Sequence, residues 1–173
     1  MSILTGDQII KEVEMGNIVI TPFNMKQVNP NSYNLKLGKR LLVYNNFPLD
    51  MRKENKTQEL IIPDDGLYLN PGVLYLGETE EYTETPNHVP HIEGRSSIGR
   101  LGMQVHITAG FGDTGFRGKW TLEITVVHPL KVYHGTEVCQ VAYQKTFGKI
   151  SAYSGRYLGQ NGAVPSCLFQ DYA

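Results

Sequence analysis

Cysteine is scarce: only Cys139 and Cys167 occur. Two thiols are too few for a disulfide framework or for a zinc site built on paired cysteines, and they fit a reducing cytoplasm. Long apolar runs are missing too. Nowhere do about 18 uncharged apolar residues stand together, so no membrane span is expected. The opening MSILTGDQIIKEVEMG lacks the basic start and apolar stretch of an export signal. Charge excess is absent as well: 16 Lys and Arg face 17 Asp and Glu, a net charge of -1. Without a basic face, polymeric nucleic acid is disfavoured as a partner. What remains is a 173-residue chain, 40% hydrophobic, enough for one core without staples. A single domain over 1–173 is the expectation, with 147–173 as a C-terminal segment able to close over a site.

Thr5-Gly6-Asp7-Gln8 has the form of a capping box, flanked by Leu4 and Ile9 at the staple positions. Ile9, Ile10 and Val13 make one stripe and Gly16 stands where a helix ends, so a short helix is expected over about 6 to 15. Beyond Gly16, short apolar runs separated by Gly, Pro and Asn speak for a mostly β fold. Tyr33, Leu35 and Leu37 alternate with polar residues up to Gly38, and Leu41-Leu42-Val43-Tyr44 follows, which predicts a hairpin. Further runs are read at 60–62, 67–69, 73–76, 103–108, 121–127, 130–133 and 138–143, with residues 45–59 as a loop. The tail from Phe147 reads as irregular.

The segment HIEGRSSIGRLGMQVHITAGFGDTGFRGKWTLE is dense in groups that packing alone does not call for. Arg95, Ser96, Ser97 and Arg100, bounded by Gly94 and Gly99, can offer several donors to phosphate oxygens, and arginine adds a planar fork suited to them. Taken alone, such a string is more often a satisfied loop or a surface ion pair. Asp113 in Asp113-Thr114-Gly115-Phe116 reads either as a functional carboxylate or as a turn cap. Glu123 lies in a β-forming stretch and shares a face with Thr121 and Thr125, opposite Leu122 and Ile124, so it faces either solvent or a site.

The four blocks together closely resemble the dCTP deaminases of the trimeric dUTPase superfamily, whose pattern reads E-G-R-S-S-x-x-R-L-G, then T-A-G, D-x-G-F-x-G and T-L-E. The N-terminal helix, N-S-Y-N-L-K-L-G at 31–38, and the tail with Tyr153, Gln160 and Gly162-Ala163 extend the likeness to nearly the whole chain. The resemblance implies a distorted jelly roll of the β-clip type with a short N-terminal helix. It also implies a homotrimer with sites shared between subunits. It assigns Arg95, Ser96, Ser97 and Arg100 to the triphosphate and the catalytic water, with Ser97 nearest the chemistry. Asp113 would hold the deoxyribose hydroxyl, Thr121, Leu122 and Glu123 would read the base, and Gln140, Tyr153, Arg156 and Gln160 would close over the ligand. Mg2+ would arrive with the triphosphate, and dTTP would act as an inhibitor.

Hydrolytic loss of ammonia from C4 of cytosine needs a group that takes a proton from water and returns protons to the ring and the amine. Glu123 is the candidate, with burial expected around it. Zinc deaminases combine His-x-Glu with Pro-Cys-x-x-Cys, and two isolated cysteines do not supply the second block, so no zinc is expected. Thr108-Ala109-Gly110-Phe111 resembles the branch that also cleaves the triphosphate to dUMP and pyrophosphate, with Asp113 handling the second water. The chain departs from the common pattern at Asn34 (Asp in many relatives), at Gly112 and Thr114, and at Arg156 (often Lys). The five histidines read as surface or hydrogen-bonded residues, Trp120 as packing, and Cys139 as a buried hydrophobe. The rival readings are a dUTPase without deaminase activity, against which Glu123 speaks, and a non-catalytic nucleotide-binding regulator.

Overall fold

A computed structural model describes residues 2–172; the outermost residues of the expected 1–173 span lie outside it. Thr5 caps α1 (Gly6–Glu14), its hydroxyl accepting the Gln8 N–H at 3.4 Å. The reciprocal half of the capping box does not form. The Gln8 amide nitrogen donates instead to the Glu12 carboxylate at 2.9 Å, an i,i+4 bond to a charged acceptor that turns the side chain along the helix and away from the Thr5 N–H. Leu4 and Ile9 are both in the core, and Gly16 ends the turn at φ 72°.

The strands follow as β1 (Val19–Thr21), β2 (Val28–Asn29), β3 (Ser32–Tyr44), β4 (Thr57–Ile61), β5 (Leu67–Leu69), β6 (Tyr75–Glu84) and β7 (His88–Gly94). After the short helix α2 (Ser96–Gly99) come β8 (Met103–Gln104), β9 (Arg117–Val126), β10 (Leu130–Val132) and β11 (Glu137–Lys145). One antiparallel sheet runs β7-β11-β3-β6-β9-β8, with β1 on β6 and β2 and β4 on β3, while β5 and β10 form a separate ribbon. The sheet curls nearly closed. The loop after β8 returns to β7, where Ile92 N–H donates to the Gly110 carbonyl and Gly112 N–H to that of Pro90. This is the mostly β architecture expected. No helix among the described residues is long and apolar enough to cross a membrane.

Three local expectations give way. Residues 33–44 form one strand and no hairpin: Gly38 lies mid-strand, where a Cβ would come 2.6 Å from Glu78 Cγ. The glycine marks a close approach of β6, and the β3–β6 register shifts beside it. Second, β6 continues through Gly77-Glu78-Thr79-Glu80-Glu81 and β7 covers 88–94, although neither stretch is apolar. Third, only Met103–Gln104 of the run 103–108 is strand, whereas β4 takes over the end of the 45–59 loop.

Strand β6 tolerates its polar residues because each is satisfied. Glu81, fully buried, accepts from Gln27 Nε2 at 2.7 Å and from the Lys36 N–H at 2.8 Å. Burial still pushes its carboxyl above the ordinary range, the two hydrogen bonds opposing it. Thr79 Oγ1 accepts the Trp120 N–H and Thr83 Oγ1 accepts its indole Nε1–H, both at 2.9 Å. Trp120 is core, as expected, and packs on Phe116 at 4.4 Å. Cys139 is a fully buried hydrophobe whose thiol burial pushes up. Replacing Thr83 with Val keeps the shape but orphans the indole N–H. The expected cost is about 1–3 kcal/mol, read from the denaturant midpoint; an unchanged midpoint would contradict this account.

Candidate active site

Along β9, burial alternates residue by residue: Leu122 and Ile124 enter the core while Thr121, Glu123 and Thr125 face outward and are half-buried. Glu123 stands opposite Leu76 on β6, and both line a cleft of about 560 Å³. Glu123 Oε2 accepts the Ile107 N–H at 2.8 Å. The second carboxylate of this cleft is Asp113. Its turn is closed by backbone, the Phe116 N–H meeting the Asp113 carbonyl at 3.2 Å with Gly115 at φ 90°. Asp113 is exposed along the cleft rim, and the turn closes without a hydrogen bond to its side chain. Trp120, Phe116 and Phe111 supply apolar wall. Two acids on a partly apolar wall suit a planar, polar-edged ligand of which one end is hydrophilic.

The tail closes one side. Lys119 N–H donates to the Gln160 carbonyl, Gly159 N–H to Arg117, and Tyr153 N–H to Thr114. Gln160 Nε2 donates to the Lys119 carbonyl at 2.6 Å and to Thr121 Oγ1 at 3.2 Å, and Val164 N–H reaches the same hydroxyl at 3.1 Å. The segment expected to close over the site lies along β9. Beyond it a 3-10 turn, Leu168–Tyr172, pairs Asp171 with Arg156 and lays Tyr172 under Arg52.

The candidate residues thus fall into two groups. Asp113, Thr121, Glu123, Tyr153 and Gln160 line the cleft. Arg95, Ser96, Ser97, Arg100 and Gln140 do not; they gather where β7 passes into α2 beside β11, with Ser96, Ser97 and Arg100 exposed. Leu122 is in the core at 1% exposure, so only its backbone can meet a ligand. Arg156 is held by Asp171 in the tail. Glu123 is half-buried within one chain and not enclosed. Residues unforeseen from sequence include Tyr44 and Tyr157, which wall the cleft, and Ile107, whose role is played by a backbone N–H and so leaves no side-chain signal.

Among the histidines, His88 and His106 differ from expectation: each has a buried Nδ1 with no hydrogen-bond partner. Burial holds the His88 ring below the ordinary histidine range, with Glu12 opposing. His91-Ile92-Glu93 has the His-x-Glu spacing, but His91 Nε2 faces the Glu93 carboxylate at 3.2 Å, with His106 Nε2 on its other oxygen at 3.9 Å. No group of three or more metal-ligating side chains is found among the described residues.

The family model described as dCTP deaminase-like matches residues 3–146. A Leptospira biflexa protein named "dCTP deaminase, dUMP-forming" is 58% identical over 171 residues, covering 98% of each chain. One of the same name from Clostridium acetobutylicum is 56% identical, again over 98% of each. The fold is similar to the crystal structure of the 2'-deoxycytidine 5'-triphosphate deaminase from Agrobacterium tumefaciens, with a TM-score of 0.67 and 19% identity. That likeness covers 83% of this chain and 48% of the longer one.

The cleft wall gives a direct test. A Cβ on Gly112 would meet Trp120 Cη2 at 2.6 Å and Pro90 Cγ at 2.8 Å. Gly112→Ala should therefore shift the emission of the single tryptophan and cost about 1–3 kcal/mol by overpacking; unaltered emission and stability would show that the loop yields freely.

Proposed function

The chain belongs to the dCTP deaminase family, and on that premise we propose that it converts dCTP and two waters to dUMP, ammonia and pyrophosphate. The names of its relatives support the two-step reaction over deamination alone, as does the Thr108-Ala109-Gly110-Phe111 block. The observation that carries the reading is the Glu123 carboxylate in the cleft, one oxygen held by the Ile107 N–H.

That hydrogen bond leaves Oε1 to take a proton from a water placed at C4 of the base. The same carboxyl passes that proton to the ring nitrogen, then takes the proton of the new C4 hydroxyl and hands it to the amine, so the C4–N bond breaks as ammonia leaves and a C4 carbonyl remains. The aromatic wall suits the pyrimidine, and Asp113 suits the sugar hydroxyl and the water that attacks the α-phosphorus. Thr121, its hydroxyl under two tail donors, positions Gln160 and the tail along the base edge. Mg2+ asks for few protein carboxylates when phosphates are present, so the ion would be carried by the triphosphate, whose charge it would neutralise.

The phosphate-binding group, Arg95 through Arg100, lies off this cleft, which supports a homotrimer in which one subunit supplies the base pocket and its neighbour the phosphate site and Ser97. Leu101, Ile107 and Phe111, all exposed by half or more in the segment joining the two groups, favour coverage of that face by another copy. A deoxythymidine triphosphate would compete for the same pocket. Two unpaired thiols, one buried, suit a cytoplasmic enzyme.

Product analysis tests the assignment. Glu123→Gln should lower ammonia release by roughly 10²–10⁴-fold with dCTP still bound, and Asp113→Asn should lower pyrophosphate release from dUTP. Ammonia release at the normal rate from the Glu123 variant would remove it as the proton carrier.

A further inference from the structure

Arg95 is tied to the sheet through a closed circuit of polar side chains. Its Nη1 donates to the Glu137 carbonyl at 2.8 Å and lies 3.2 Å from Glu137 Oε2. The same Oε2 accepts Asn34 Nδ2 at 2.7 Å, and Asn34 Oδ1 accepts Asn29 Nδ2 at 2.6 Å. Asn29 Nδ2 also reaches Ser32 Oγ at 3.2 Å, Ser32 donates to Gln140 Oε1 at 2.6 Å, and Gln140 Nε2 donates to the Gly94 carbonyl at 3.1 Å. Gly94 is the residue before Arg95, so the ring closes on α2.

The polarity of this ring has a single source. Arginine only donates and an ionised glutamate only accepts. With Glu137 as acceptor, Asn34 must turn its amide nitrogen toward it and its oxygen toward Asn29. Asn29 must then donate to both neighbours, and Ser32 must donate onward to Gln140. Asn34 is 3% exposed and Ser32 6%, so water does not readily supply substitutes, and each bond supports the next. Anchoring through Nη1 leaves the three N–H donors on Nε and Nη2 to face a ligand.

We propose that Glu137 and Asn34 are positioning residues that fix the Arg95 guanidinium and, through it, the Ser96–Arg100 turn for the triphosphate. This rests on the phosphate reading of that turn given above. It assigns a role to Asn34, which departs from the family pattern, and to Glu137. The charged and titratable groups around the pair are Arg95, Lys36, which opposes Glu137 in register, and Tyr33 and Glu81, with both Glu81 and Glu137 acting on Tyr33.

An aspartate at position 34 would set two acceptors face to face, and two carboxylates in hydrogen-bond reach repel unless they share a proton. In the full-length enzyme, Asn34→Asp should therefore raise KM for dCTP about tenfold above pH 7, and less near pH 6, where a shared proton is available, with kcat within about twofold. Glu137→Gln removes one of the two facing charges and supplies a donor toward the introduced carboxylate, while Arg95 keeps its bond to the main-chain carbonyl of residue 137. The Asn34→Asp/Glu137→Gln double variant should return KM to within about threefold of the parent and remove the pH dependence. A KM for Asn34→Asp that matches the parent from pH 6 to 9 overturns the proposal, as does a double variant no better than Asn34→Asp. Arg100→Ala serves as the reference: an unchanged KM there would take away the phosphate reading itself, whichever way the position 34 and 137 variants behave.

Discussion

Trp120 is held twice by β6, its backbone N–H at Thr79 and its indole N–H at Thr83, and the register of β9 depends on this clamp. Side chains on a strand alternate between faces, so a slip of one residue would send Glu123 into the core and Leu122 into the cleft. A buried carboxylate without a partner is costly enough to forbid that arrangement. The clamp and the alternation of Leu122 and Ile124 against Thr121 and Glu123 thus select one register. Everything the cleft offers, from the Glu123 carboxylate to the hydroxyl that receives the tail, follows from it.

Around that fixed strand, segments of irregular sequence become ordered by backbone bonds more than by side-chain burial. The loop after β8 reaches Glu123 through the Ile107 N–H and β7 through Gly110 and Gly112. The tail reaches β9 through Gly159, Gln160 and Val164. Segments tied in this way can open locally without disturbing the core. The Arg95–Arg100 cluster is built differently: its α2 turn is short and exposed, and a ring of hydrogen-bonded side chains stands behind it.

Local chemistry is largely legible in the residues. Thr5 and Gly16 bound the helix as their types suggest, Glu123 shares the face of Thr121 and Thr125, and Asp113 sits in a turn with a left-handed Gly115. What misleads are residues whose usual setting is solvent. Glu78, Thr79 and Glu81 have the composition of a loop, yet they form the middle of β6, because Gln27, Lys36, Trp120 and Ala163 meet them there. Gly38 has the character of a turn residue and is a place where Glu78 passes close to the backbone. Gln8 has the spacing of half a capping box, but Glu12 takes its amide.

By itself the sequence determined the helix ends, the β character, the face on which Glu123 lies and the inventory of groups able to bind a nucleotide. These depend on neighbours within a few positions along the chain, where spacing and residue type suffice. Only the tertiary structure decided that the two carboxylates share a cleft, that the arginine and serine cluster lies apart from it, and that Asn34 serves Glu137 across 103 positions of chain. A buried polar group is satisfied by whichever distant strand is laid beside it, and that choice is made by the packing of the whole sheet.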